Sequence, residues 1–151
     1  MQIEIEDLII ADIQGLLREH LDDMRQTSPP ESVHALDMEA LRRPDVTFWA
    51  ARQDSELSGC GALRELHAHA GEIKSMRTAK AHLRKGIAAA ILPRILAEAR
   101  RRGYRRVNLE TGRTMPFRPA HKLYQGFGFV ECAPFGDYRE DPFSVCMTRM
   151  I

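Results

Sequence analysis

Residues 71–112, GEIKSMRTAKAHLRKGIAAAILPRILAEARRRGYRRVNLETG, constrain the chain more than any other stretch. They read as strand, basic glycine turn, long helix and strand. GEIKSMRT is strand-like and ends in small polar residues. In IAAAILPRILAEARRR, Ile87, Ile91, Leu92, Ile95, Leu96 and Ala99 recur at helical spacing. Gly103 stops that helix, and YRRVNLE returns as a strand. Leu83 to Ala88 supply its first turn, where backbone N–H groups have no partner inside the helix. Those donors, with the positive end of the helix dipole, suit an anion. Arg84 and Lys85 add charge, and Gly86 opens the backbone to close approach. On these residues alone, an ordinary helix start with solvated cations is an equally good reading.

The rest of the composition narrows the class. With 151 residues, the chain is expected to form one domain, 1–151, with a real core. A net charge of +1 points away from a general nucleic-acid binder. The cations of ARRRGYRR read as a solvated helix end, favoured by the dipole. No run is long enough to span a bilayer, and the acidic, alternating MQIEIEDL is unlike a signal peptide. Cys60, Cys132 and Cys146 are odd in number, far apart and without CxxC spacing, so neither a disulfide framework nor a zinc site is expected. A reducing cytoplasm fits this usage.

Taken in order, QIEIEDL alternates as a first strand. A helix over 13–24 follows, with Asp12 as its cap and Ile13, Leu16, Leu17, Leu21 and Met24 on one face. SPPES breaks it, and VHALDMEALRR predicts a second short helix. VTFWAAR, CGALREL and EIKSMRT are strands joined by turns at DSELSG and HAHAG. After the long helix and the 104–110 strand come a proline-rich loop, a short helix AHKLYQGFG and strands FVECAPF and FSVCMTRMI. The order β-α-α-β-β-β-α-β-α-β-β predicts a mixed sheet covered by helices.

Two segments together resemble the GNAT superfamily of N-acetyltransferases. MRTAKAHLRKGIAAAILPRILAEA is similar to its acetyl-CoA motif, a strand and an (Arg/Gln)-x-x-Gly-x-(Gly/Ala) turn into a helix. AHKLYQGFGFVE is similar to its helix–strand signature, with Ala120, Leu123, Tyr124, Gly128 and Phe129 in place. SPPESVHALD, GCGAL, GEIKSMRT and FVECAPFGDY also resemble a bacterial subfamily of small acetyltransferases. Leu83 stands where the turn usually opens with Arg or Gln, and Phe117 where the family often has Asn. The resemblance implies a three-layer α/β fold of the α+β type. Its central sheet is mostly antiparallel and splayed, and helices flank it. It implies an enzyme moving acetyl from acetyl-CoA to a primary amine by direct attack in a ternary complex. A non-catalytic acyl-CoA sensor and a protein-amine acetylase are the alternatives. No metal, nucleic acid or membrane partner is expected, a small-molecule acceptor is favoured over a protein, and a homodimer is open by analogy. A nucleotide-phosphate enzyme is disfavoured, because the Gly-x-x-x-x-Gly-Lys-(Ser/Thr) spacing is missing.

By that resemblance, backbone N–H groups of Leu83, Arg84, Lys85, Gly86, Ile87 and Ala88 hold the pyrophosphate. The pantetheine arm pairs with the strand at Met76, Arg77 and Thr78, and the Met76 N–H is the candidate oxyanion donor. Tyr124 is the candidate general acid for the leaving thiolate, packed against the cofactor. Glu72 is the candidate base, matching a base glutamate of some members, and Glu110 on the next strand is its rival. The acceptor is expected near His20, Met24, Ser28 and His34, flanking the SPPES break, and near Glu110. His67 and His69 read as hairpin residues and His82 as part of the glycine turn.

Overall fold

The computed structural model describes residues 1–8, 10–32 and 38–151. A seven-stranded sheet runs through it in the order β1-β2-β3-β4-β5-β7-β6. The strands are β1 (Gln2–Ile5), β2 (Val46–Gln53), β3 (Glu56–His67), β4 (Ala70–Thr78), β5 (Arg106–Gly112), β6 (Val130–Cys132) and β7 (Ser144–Met150). The helices are α1 (Ala11–Thr27), α2 (Met38–Leu41), α3 (Ile87–Arg101) and α4 (Arg118–Gly126). The expected order of elements is met throughout. Residues 33–37 of the expected second helix lie outside the described residues.

Two apolar clusters cover the two faces of the sheet. Ile87, Ile91, Leu92, Ile95 and Leu96 of α3 pack with Tyr124 of α4 on strand residues such as Leu63 and Val107. On the other face, Ile13, Leu16 and Leu17 of α1 pack with Leu41, Phe48 and Ala62. The α3 stripe read from the sequence is therefore the stripe that is buried.

β2 and β3 meet at Gln53 and Glu56, with Asp54 and Ser55 between them at φ of 48° and 70°. Two positive φ values in a two-residue loop match the strand twist of a tight hairpin. Asp12 is not the cap of α1. The cap position is Ile10, which makes no side-chain bond, and the Asp12 carboxylate instead binds Arg52 of β2 at 2.7 Å. Its place in the first turn still suits the helix dipole. β6 is shorter than FVECAPF suggests. It ends at Cys132, and Pro134, lacking an N–H, cannot extend the ladder.

β4 and β5 form the parallel pair, and their ladder runs only from Ala70↔Arg106 to Ile73↔Leu109. Beyond it β4 stays with β3, and β5 stays with β7. The two strands part, and a bulge in β4 marks the place. Lys74 pairs with Ala62 and Arg77 with Cys60, so Ser75 and Met76 stand opposite Gly61 alone. Ser75 has φ 55°. An extra residue of this kind bends the strand and interrupts its ladder. The Cys60 thiol donates to the Ser75 carbonyl at 3.3 Å and props the bulge from the neighbouring strand.

Candidate active site

The parting strands open a cavity of about 110 Å³. Lys74, Ser75 and Met76 of β4 and Glu110 and Thr111 of β5 form its strand walls. His20 and Met24 of α1 close one side, and Phe117, Ala120 and Tyr124 the other. Five of the expected site residues therefore meet here, His20, Met24, Met76, Glu110 and Tyr124, with Phe117 and Ala120 of the sequence motifs beside them.

Tyr124 is buried on α4, its ring edge-on to Phe129 at 5.7 Å. Burial raises its pKa above the usual phenol value, which extends the protonated form to higher pH. Glu110 accepts a hydrogen bond from Ser144 Oγ at 2.6 Å. His20 is pushed down to about 4, first by burial and then by the Arg77 cation. Its imidazole is therefore neutral at pH 7, and its buried Nδ1 has no hydrogen-bond partner among the described residues.

Glu72 is placed differently. It is 0% exposed and is not among the residues lining the cavity. One carboxylate oxygen accepts from Arg64 at 2.7 Å, the other from the Tyr138 hydroxyl at 2.5 Å. Lys74 donates to the same hydroxyl at 2.7 Å and lies 3.5 Å from Glu72. Tyr138 comes from the β6–β7 loop, which crosses over β7 and β5 to reach β4. Asp141 of that loop accepts from Ser32 Oγ at 2.5 Å, tying it to the segment after α1. Ser28 caps the end of α1 and lies outside the cavity lining, while His34 lies outside the described residues.

The glycine turn sits beyond the open end of β4. α3 begins at Ile87 rather than within Leu83–Gly86, which form a loop after a short 3-10 turn. Arg84 and Gly86 have φ of 63° and 76°. A Cβ on Gly86 would meet nothing, so its glycine serves the backbone angle rather than space. Gly86 caps α3 with no side-chain bond, which leaves the N–H groups of the first turn for water or a ligand. Leu83 is 57% exposed, and Arg84 and Lys85 are exposed beside it. Ile87 is buried and anchors the helix start. His82 points inward, its Nδ1 3.5 Å from Lys85 Nζ and its Nε2 3.4 Å from Glu56. Arg77 is held by Glu19 at 2.9 Å and by Asp23, both on α1, and Thr78 pairs with Gly59.

Lys74 and Ser75 line the cavity and Tyr138 bonds Lys74 and Glu72 behind it, although the sequence carried these three only within GEIKSMRT and FVECAPFGDY, with no role at the site. Alternation places Glu72 and Lys74 on one face of β4, and that signal was available. Tyr138 ends the phrase FVECAPFGDY, but nothing local points to its partner Glu72, 66 residues away. Among the described residues no group of three or more His, Cys, Asp or Glu could hold a metal, and no helix is long and apolar enough to cross a membrane.

The sheet is mixed and splayed, as the resemblance implied, with a bulge at the parting and a cap-free helix start beyond it. The profile of the acetyltransferase (GNAT) family matches residues 13–129, and the chain belongs to that family. It is 54% identical, over the whole of both chains, to the uncharacterized N-acetyltransferase YsnE of Bacillus subtilis. It is 36% identical to the IAA acetyltransferase of Azospirillum brasilense, over 96% of this chain and 92% of that one. Among solved structures, a candidate acyl-CoA N-acyltransferase from Klebsiella pneumoniae superposes with a TM-score of 0.83. It is 27% identical, over 99% of this chain and 96% of that one.

Proposed function

We propose that the protein moves an acetyl group from acetyl-CoA to a primary amine by direct attack in a ternary complex. The observation that carries this reading is the cavity at the β4–β5 parting, where Met76, Glu110 and Tyr124 meet. The N–H groups from Arg84 to Ala88 bind the pyrophosphate. The unpaired edge of β4 at Met76, Arg77 and Thr78 takes the pantetheine amides as an added strand. The Met76 N–H donates to the thioester oxygen as it becomes an oxyanion. The amine nitrogen attacks the carbonyl carbon, the C–S bond breaks, and Tyr124 gives its proton to the departing thiolate. The amine loses its protons to Glu110, directly or through water, and to the Tyr124 phenolate.

Assigning the base to Glu110 rather than Glu72 follows from access. Glu110 lines the cavity, whereas both Glu72 oxygens are occupied behind it. Glu72 then holds Arg64, Tyr138 and Lys74 in place. The cavity's size favours a small-molecule acceptor over a protein chain.

The test is release of free CoA thiol from acetyl-CoA with a panel of amines. The expected result is amine-dependent release, lowered about a hundredfold in kcat by Tyr124→Phe. Full turnover by that variant across pH removes Tyr124 from the acid role. Tight acetyl-CoA binding without release for any amine replaces the enzyme reading with a sensor.

A further inference from the structure

β6 and β7 bring together two cysteines that lie apart in the sequence. Their antiparallel register sets Cys132 directly opposite Cys146. Residues opposite one another in such a pair have Cα atoms about 4.5–5.5 Å apart and side chains on the same face of the sheet. A disulfide needs about 4.4–6.8 Å between the same atoms, so the backbone is already spaced for one. Both thiols are free, and Cys132 is close enough to bear on the ionisation of Cys146. The two differ in access. Cys146 is buried, whereas Cys132 is half-buried and ends β6, an edge strand. Burial raises the pKa of both, that of Cys146 to about 11. Cys60, the third cysteine, is buried in β3 with its thiol on the Ser75 carbonyl.

The pair stands at the base of the β6–β7 loop. That loop carries Tyr138 to Glu72 and Lys74, and Asp141 to Ser32. The backbone N–H of Phe135, in the same loop, favours the Cys146 thiolate. A bond between the two sulfurs ties the ends of the loop to each other. We propose that Cys132 and Cys146 are a reversible dithiol–disulfide site that clamps the base of this loop, with a small-molecule disulfide of the glutathione type as its oxidant. The Cys132 thiolate attacks one sulfur of that disulfide and expels a thiolate, leaving a mixed disulfide. The Cys146 thiolate then attacks the Cys132 sulfur and expels the second thiolate. The two protons given up by the cysteines go to the two departing thiolates. The protein loses two electrons, and the small disulfide gains them. The first step needs access from outside, which Cys132 has, and the second is internal and suits a buried thiol.

The experiment incubates the full chain with oxidised glutathione, blocks the remaining thiols and maps tryptic peptides. The expected product is residues 123–139 joined to residues 140–149, separated again by dithiothreitol, with Cys60 recovered as a blocked free thiol. Cys132→Ser should abolish the joined peptide. Cys146→Ser should instead trap glutathione on Cys132. Trypsin acting on the folded protein reads the clamp. Arg139 is exposed in the loop. Cleavage after it should be slower by about fivefold or more in the oxidised protein, because the closed loop opens less often. Oxidised glutathione should leave that cleavage unchanged in Cys132→Ser. A lasting mixed disulfide on Cys132 of the wild type, a bond between two chains, or a bond to Cys60 overturns the site. Equal cleavage of the oxidised and reduced forms overturns the clamp.

Discussion

His20 sits on α1 with its ring turned into the protein and its pKa pushed down to about 4. Burial is the main cause, the Arg77 and Lys74 cations add to it, and Asp23 opposes it. The folded state therefore favours the neutral ring, while the unfolded chain takes up a proton near pH 6.5. Stability from this residue is complete above pH 6.5 and is lost as pH falls from there towards 4. The loss is on the order of 3 kcal/mol. Urea midpoints at pH 7.5 and pH 4.5 test it. The wild type should lose about 2 kcal/mol more over that interval than His20→Gln. Equal losses would mean that the ring titrates normally and is not buried as a neutral group. Tyr124 shows the same physics in a different role. Burial raises its phenol pKa and so extends the protonated form, the one a general acid needs, to higher pH.

At the scale of elements, α3 and β4 are set against each other by a glycine in the strand beside them. A Cβ on Gly59 of β3 would lie 2.7 Å from Ile87 Cγ2 and 2.9 Å from the Arg77 carbonyl oxygen. The first contact belongs to the residue that anchors α3, the second to the backbone of β4. Neither yields by rotating a flexible side-chain end. Gly59→Ala should destabilise the fold by about 1–3 kcal/mol. It should also weaken CoA binding, because the turn at 83–88 must shift with Ile87. Denaturant unfolding and CoA titration read the two effects. A neutral substitution would mean that the strand and helix are free to separate. The glycines of GCGAL were visible in the sequence, but the helix they admit was not. What could be read was local. The apolar period of α3 and the alternation of the strands follow from their own residues. So does the Leu–Tyr helix, and the glycine turn was legible through its partner motif downstream. What could not be read was made by topology. Glu72 became a buried hub because the β6–β7 loop returns over two strands to bring Tyr138 to it. Cys60, in the sequence only one of three scattered cysteines, supports the bulge because β3 faces Ser75 across the ladder.

Over the whole molecule, the sheet is covered by two separate apolar clusters, and the β4–β5 parting lies between them. The parting leaves backbone donors and acceptors of both strands without the partners that a continuous sheet would give. A ligand that adds hydrogen bonds there and at the helix start binds the folded state and not the unfolded chain. At a hundredfold excess over its Kd, such a ligand stabilises by about 2.7 kcal/mol. For a chain of this size that raises Tm by roughly 5–10 °C. The gain should divide between two parts of the site. On the proposed reading, CoA reaches both the N–H groups after Gly86 and the open edge of β4, whereas pantetheine, lacking the pyrophosphate, reaches only the edge. Thermal unfolding with each at equal concentration separates them. CoA should give the larger shift, and added salt should shrink the difference, because the helix start acts through charge. Equal shifts at all salt concentrations would mean that the glycine turn contributes nothing to binding. The anion reading of Arg84 to Ala88 would then give way to an ordinary helix start.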